Sequence, residues 1–365
     1  MDFSLTIAPA EFDDLFINDA PLIDVRAPNE FEKGSFPAAT NLPILNDDER
    51  HQVGLRYRES GSEAATALGF RLLAGGKQFD RIKAWQNHLL SSSNAALYCF
   101  RGGYRSRIAC DWLQASGSPT PRILGGYKAL RKHLLNVFRN LPPLVIVSGK
   151  TGTGKTAFLS QFRHAIDLEG IANHRGSAFG GHISPQPCQI DFENRVAIAF
   201  LKIRSEAEAL VEDEGRLIGR ISLPLPLQQK MKQSPILVIE EPVVVRTERI
   251  FQEYIVNQWQ SYLAHFEFEA EAEFKLYLVD AVDAIRKRLG GVAHGQIRQQ
   301  MINACQYHSR RHSLELHRVW ITALLTDYYD PMYDYQMDKK SARIRARESR
   351  QALVEWYSDK TGKLR

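Results

Sequence analysis

The 365-residue sequence is short of cysteine, of net charge and of long apolar runs. Four cysteines, Cys99, Cys110, Cys188 and Cys305, are too sparse to staple a chain of this length. No CxxC pair occurs, so spacing offers no zinc site. Reduced thiols and a cytoplasmic location are therefore expected. The longest aliphatic runs, 144–147 and 236–239, fall far below the roughly 18 residues a spanning helix needs, which excludes a membrane-embedded class. The first sixteen residues carry four acids and no basic flank, unlike a secretory signal. There is no internal repeat and no low-complexity segment. Hydrophobic residues at 44% and charged residues at 24% are globular values, which exclude wholesale disorder. Lys and Arg exceed Asp and Glu by only 47 to 42, so the location of charge matters more than its sum.

What is present alternates. Apolar runs at 21–26 and 95–100 read as strands, with helical spacing over 79–90 and 106–116 and a short strand at 122–124 before Gly125-Gly126. Strands alternating with helices predict an α/β fold with a parallel sheet, whose ligands sit at the carboxyl ends of strands. Asp24-Val25-Arg26 and Cys99 lie at such ends. Leu141-Pro142-Pro143 marks a linker, after which 144–148 and a Gly-rich loop open a second α/β unit. Further strands are expected at 209–211 and 235–239. Helical spacing then covers 251–266, 271–289, 295–308 and 314–329, followed by a polar, basic tail at 339–365. The expected domains are 1–140, 141–250 and a helical C-terminal extension over 251–365.

Gly149-Lys150-Thr151-Gly152-Thr153-Gly154-Lys155-Thr156 fits the phosphate-loop (P-loop) pattern GxxxxGK[ST], with an apolar strand before it and AFLSQF after. Gly149, Gly152, Thr153 and Gly154 let backbone N–H groups converge on phosphate oxygens. Lys155 adds a cation, and the Thr156 hydroxyl can ligate Mg²⁺. A dinucleotide reading fails at Ala157. The metal needs a partner acid, and two strand ends offer one: Glu212-Asp213-Glu214 and Glu240-Glu241. The loop implies a phosphate-bearing ligand without implying hydrolysis.

The second constellation is Cys99-Phe100-Arg101-Gly102-Gly103-Tyr104-Arg105-Ser106. A cysteine at a strand end, followed by glycines and a helix, faces loop N–H groups that favour a thiolate and bind anions. Arg101 and Arg105 add fixed positive charge. Together they describe a nucleophilic thiol in an anion cradle. A small buried cysteine is the plain alternative, and Cys110, inside the next helix, is read that way.

These residues carry a resemblance. Ile23-Asp24-Val25-Arg26 with Glu30-Phe31, then Gly34, Pro37-Ala38-Ala39 and Asn41, then the Cys99 loop, resemble a rhodanese domain. Five residues separate Cys99 from Arg105 where sulfurtransferase loops have four; a C-x5-R ring is similar to that of dual-specificity phosphatases and admits a larger anion. The chain as a whole resembles the bacterial tRNA 2-selenouridine synthase family. The match runs through both loops, His174-Arg175-Gly176-Ser177-Ala178-Phe179-Gly180, Gln186-Pro187, Phe192-Glu193, Glu212-Asp213-Glu214-Gly215-Arg216, Ile218-Gly219 and Tyr328-Tyr329-Asp330-Pro331-Met332-Tyr333.

The resemblance implies a rhodanese-like domain joined to a P-loop NTPase-like domain with the helical extension. It implies conversion of wobble 2-thiouridine in tRNA to 2-selenouridine through S-geranyl-2-thiouridine, with geranyl diphosphate and selenophosphate as substrates. A selenophosphate-producing enzyme is then an expected partner. On this reading Cys99, Arg101 and Arg105 accept or steer selenium, while Gly149 to Thr156 with Mg²⁺ hold the diphosphate. His174 and Arg175 contact diphosphate or base, Glu212, Asp213, Glu214 and Arg216 assist, and Phe179 lines a geranyl pocket. A tRNA anticodon arm needs cations, and 100–139 holds eight Lys and Arg against Asp111 alone, while 339–365 holds nine against three acids. Arg298, Arg310, Arg311 and Arg318 add to these. Tyr307, Trp320, Tyr328 and Tyr329 are candidates for stacking on bases, with core packing as the alternative. Other functional classes remain open: an NTP-dependent kinase, a C-x5-R phosphatase (although Tyr98, not His, precedes Cys99), or a tRNA-binding regulatory module.

Overall fold

The computed structural model describes residues 5–92 and 94–361, which form two compact units. The first comprises 5–140 together with Cys188–Lys202; the second comprises Leu141–Pro187 together with 203–361. Residues 1–4, 93 and 362–365 lie outside the description, so Lys363 and Arg365 of the basic tail do too.

The first unit is built on a parallel sheet of five strands: β1 (Thr6–Ile7), β2 (Leu22–Asp24), β3 (Ala39–Asn41), β4 (Ala96–Tyr98) and β5 (Arg122–Ile123), in the order β1-β5-β4-β2-β3. β2 and β4 are buried throughout, as short apolar runs covered on both faces should be. Asp24 and Arg26, at the end of β2, are locked to each other rather than offered to a ligand. Both are buried, their ion pair is 2.6 Å long, and Arg26 also donates to the carbonyls of Glu30 and Gly34.

The second unit has its own five-stranded parallel sheet: β6 (Leu144–Gly149), β7 (Ala165–Ile166), β8 (Ala209–Glu212), β11 (Ile236–Glu240) and β12 (Ile344–Ser349). A hairpin of β9 (Leu217–Ile218) and β10 (Ile221–Ser222) stands apart. The order β12-β11-β6-β8-β7 puts the P-loop strand between β8 and β11, where the chain switches direction across the sheet. Crevices at such switch points hold ligands. The helices of 243–338 gather around Phe251, Ile255, Phe274, Leu278, Met301, Trp320 and Leu325. No helix among the described residues is long and apolar enough to cross a membrane.

Two expectations are corrected. Helix Gln189–Lys202, placed by sequence in 141–250, belongs to the first unit. There it lies on the helix Gly126–Val137, where Arg131 binds Glu193 and Asn194, and the Ser35 amide donates to Asp191 at 2.7 Å. The tail is not a loose basic extension. β12 pairs with β11, and the following helix Arg350–Thr361 sets Leu353 and Tyr357 into the core under β6. Its cations are mostly spoken for: Lys340 binds Asp213, Arg347 binds Glu240, and Arg343 caps the carbonyls of Met231 and Ser234. Ahead of the helical spacing at 79–90, the polar stretch Asp47–Leu73 is also a helix, broken at Gly61 where φ is +77°.

Candidate functional site

Each unit carries a cavity at the carboxyl end of its central strands. In the second, a cavity of about 440 Å³ opens over the loop that follows β6. Gly152 has φ +84°, and a Cβ there would lie 2.9 Å from the Arg246 carbonyl, so only glycine fits this turn. Two arginines brace the loop from outside. Arg249 donates to the Gly152 carbonyl, and Arg246 donates to Thr151 while forming a two-point ion pair with Asp330 at 2.9 and 2.7 Å. Lys150 is held by Asp334 at 2.9 Å.

The structure separates the two candidate acid clusters. Thr156 Oγ1 donates to Glu212 Oε1 at 3.1 Å, and Asp213 and Glu214 line the cavity beside Lys155. Glu240 lies in a separate cleft, paired with Arg347 at 2.8 Å. Glu169, unforeseen from sequence, joins the first cluster: its own amide donates to Glu212 Oε2 at 3.1 Å. Burial and mutual repulsion push these carboxyls up, Glu169 and Glu212 to about 8 and Glu214 to about 7. Burial works against the charge on Lys155, but Glu169, Glu214, Glu212 and Asp213 outweigh it and hold the ammonium charged. Asp213 is already engaged by Ser148 at 2.6 Å and Lys340 at 2.8 Å.

The lining also includes aromatic and apolar side chains, Tyr254, Tyr329, Met332, Ile250 and Leu217. Tyr254 and Tyr329 both sit in π-helical turns, Phe251–Val256 and Leu325–Tyr329, wider windings that often occur at functional sites. Arg175 lines this cavity, its guanidinium 5.0 Å from the Tyr254 ring. Other expected members stand elsewhere. Phe179 is buried in the helical core, stacked on Trp320 with ring centroids 5.5 Å apart, and is not part of this cavity's lining. Arg216 is exposed outside the lining, and His174 accepts from the Gly176 amide at 3.1 Å. Trp320 and Tyr328 are core residues; only Tyr307 of the four stacking candidates is substantially exposed. Arg298 and Arg318 are drawn into ion pairs with Asp283 and Glu248.

In the first unit, β4 delivers Cys99 to a cavity of about 890 Å³. The loop beneath it is interlocked with the turn after β5: Cys99 and Phe100 carbonyls accept from the Tyr127 and Lys128 amides at 2.9 and 3.1 Å. Gly102 has φ +62°, and a Cβ there would lie 2.6 Å from the Gly125 nitrogen. The Cys99 thiol donates to Ser106 Oγ at 3.2 Å. Arg101 is exposed at the cavity, whereas Arg105 is turned onto Glu30 through both guanidinium nitrogens, one contact at 3.2 Å. Burial alone would push Glu30 up, but Arg105, the Ala27 amide and Arg50 hold its carboxyl below the ordinary range. Thiols outside this cavity are kept protonated by burial, Cys110 up to about 12 and Cys305 up to about 11.

The family model for the tRNA 2-selenouridine synthase AAA domain matches residues 142–363. The chain belongs to the tRNA 2-selenouridine synthase family. The tRNA 2-selenouridine synthase of Marinobacter nauticus is 46% identical over 95% of this chain and 96% of its own length. That of Shewanella oneidensis is 44% identical over 97% and 96%. That of Pseudomonas fluorescens is 44% identical over 96% and 98%. Among solved structures, the N-terminal domain of a Clostridium difficile 630 protein described as ATP/GTP binding aligns over 36% of this chain and 98% of its own. Its identity is 29% and its TM-score 0.33.

Proposed function

We propose that the chain converts 2-thiouridine at the tRNA wobble position to 2-selenouridine in two steps, one at each cavity, in the cytoplasm. The observation that carries this reading is the pair of anion cradles, each on a Gly-rich loop after a central parallel strand, in a member of this family. The five-stranded sheet and the Cys99 loop support a rhodanese-like first unit.

In the first step the P-loop cavity holds the diphosphate of geranyl diphosphate. The thiouridine sulfur attacks C1 of the geranyl group, the C–O bond breaks, diphosphate leaves and the uridine N3 proton is lost. Lys155 and the loop amides stabilise charge on the leaving diphosphate. The Tyr254, Tyr329, Met332 and Ile250 side chains suit the isoprenoid chain, a role first expected of Phe179. Mg²⁺ fits the donor set here. Thr156 and Glu212 would hold it, and its charge would offset both the diphosphate and the crowded carboxylates. No three Asp, Glu, His or Cys side chains among the described residues form a ready cage, which suits an ion that is bound largely through substrate phosphates.

In the second step selenophosphate occupies the Cys99 cavity, supplied by an enzyme that phosphorylates selenide. Selenium attacks C2 of the S-geranyl base, the C2–S bond breaks to release geranylthiol, and water cleaves P–Se to phosphate. Alkylation is what makes the sulfur a leaving group. Cys99 and Arg101 position the selenium donor.

Mass spectrometry of nucleosides from thiolated tRNA incubated with the protein, Mg²⁺ and both donors tests the reading. Selenouridine is expected with both donors, and S-geranyl-thiouridine with geranyl diphosphate alone. An unchanged nucleoside profile would overturn it.

A further inference from the structure

The Cys99 cavity is far larger than selenophosphate needs. A volume of about 890 Å³ lies in the ~300–1,000 Å³ range of pockets that take a whole small organic molecule. Two tyrosines stand at it without being buried: Tyr57 is 60% exposed and Tyr104 62%. Tyr57 comes from helix Asp47–Leu73, whose 51–60 stretch is largely solvent-facing and has no continuous apolar stripe to explain its presence. Its first turn is nonetheless anchored. Asn46 and Glu49 cap each other's amides at 2.8 and 2.9 Å, and buried Glu49 binds Lys77 at 2.8 Å. A second cavity of about 500 Å³ shares Arg50, Tyr57 and Arg105 with the first and continues past His51 and Arg58.

Exposed aromatic rings beside a cationic track suit single-stranded nucleic acid: bases stack on the rings and phosphates follow the arginines. An isoprenoid would gain from closed aliphatic walls and has no use for the track. We infer that helix Asp47–Leu73 is an RNA-gripping arm, in which Arg50 and Arg58 take anticodon-loop phosphates while Tyr57 and Tyr104 stack the wobble base at Cys99. This rests on the tRNA reading above and names the residues that hold the base for its second step.

Fluorescence anisotropy with full-length protein and a labelled anticodon stem-loop bearing wobble 2-thiouridine tests the arm. Tyr57→Ala and Tyr104→Ala are each expected to weaken binding about tenfold, and Tyr57→Phe and Tyr104→Phe to stay within about twofold of wild type. Arg58→Gln should lower the slope of log Kd against log salt by about 0.7 to 0.9. Thermal midpoints and geranyl diphosphate binding should not move in any of these variants. Alanine variants that bind like wild type, or phenylalanine variants as weak as alanine, overturn the arm while leaving the tRNA reading intact. Failure of the wild-type protein to bind the stem-loop overturns both.

Discussion

The two cavities share one plan and differ in how many acids face the anion. Each follows a central strand of a parallel sheet through a glycine-rich loop into a helix. The P-loop cavity is lined by five cations (Lys155, Arg175, Arg249, Arg288 and Lys340) and four acids (Glu169, Asp213, Glu214 and Glu253), with Glu212 beneath Thr156. The Cys99 cavity is lined by Lys33, Arg50, Arg101 and Arg105 against Glu30 alone, with Arg26 beside them already neutralised by buried Asp24. An anion approaching the first meets a crowd of carboxyls that repel it whenever they ionise, so a cation arriving with it is favoured. An anion approaching the second needs none. A Gly-rich loop therefore announces an anion, and the side chains around it decide in what company that anion arrives.

The sharpest way to break this comparison is to disable one cavity and watch the other. Lys155→Ala should lower geranylation by about 10²–10³-fold, the scale set by losing a charge-stabilising donor. Cys99→Ala should leave geranylation intact and let S-geranyl-thiouridine accumulate; continued selenouridine formation would remove Cys99 from the second step. Glu212→Gln should raise the Mg²⁺ concentration needed for geranylation by about 10–100-fold. Selenation of RNA that is already geranylated should run undisturbed in EDTA, and a matching metal requirement there would erase the contrast.

Acid should also tell the units apart. Buried His317, whose ring nitrogen accepts from Trp320 Nε1 at 3.0 Å, is pushed from the ordinary 6.5 down to about 3 by burial, with a smaller push from His308. The unfolded chain binds this proton first. Stability of the helical cluster should therefore fall by about 1.4 kcal/mol per pH unit as pH drops from 6.5 toward 3. His317→Gln should flatten that slope in region-resolved hydrogen exchange. Glu30 behaves differently: its folded carboxyl lies below the ordinary 4.5, so its stabilisation is complete above that value and fades only as pH falls through the folded one. Glu30→Gln should cost the first unit about 1 kcal/mol at neutral pH, read from its denaturation midpoint.

Both loops were legible in sequence because their function lies in consecutive residues and their flanking strands are continuous apolar runs. Position in the sheet was less legible. Choosing between Glu212-Asp213-Glu214 and Glu240-Glu241 required knowing on which side of β6 the loop opens. Glu169, Arg246, Arg249, Tyr254 and Tyr57 come from distant helices, and none sits in a pattern that marks it. β12 was hidden because its sequence, Ile344-Arg345-Ala346-Arg347-Glu348-Ser349, looks like a solvated tail, although an edge strand can be charged in just this way. Phe179 misled because an aromatic beside a glycine pair reads equally as pocket or core, and Trp320, 141 residues later, decides the matter.

Helix Gln189–Lys202 has a consequence for how the chain is made. The backbone passes between the two units three times, at 140, 187 and 202, because this helix is coded inside the second unit and belongs to the first. A ribosome that has delivered residue 140 has finished the cysteine-bearing sheet but not the helix that covers Arg131 and Ser35. The first unit can close only after the phosphate loop and the strand leading to it have been synthesised. The two halves are thus bound together in synthesis, and a gene cut at the proline linker would leave the first without its helix and the second carrying a helix that is not its own.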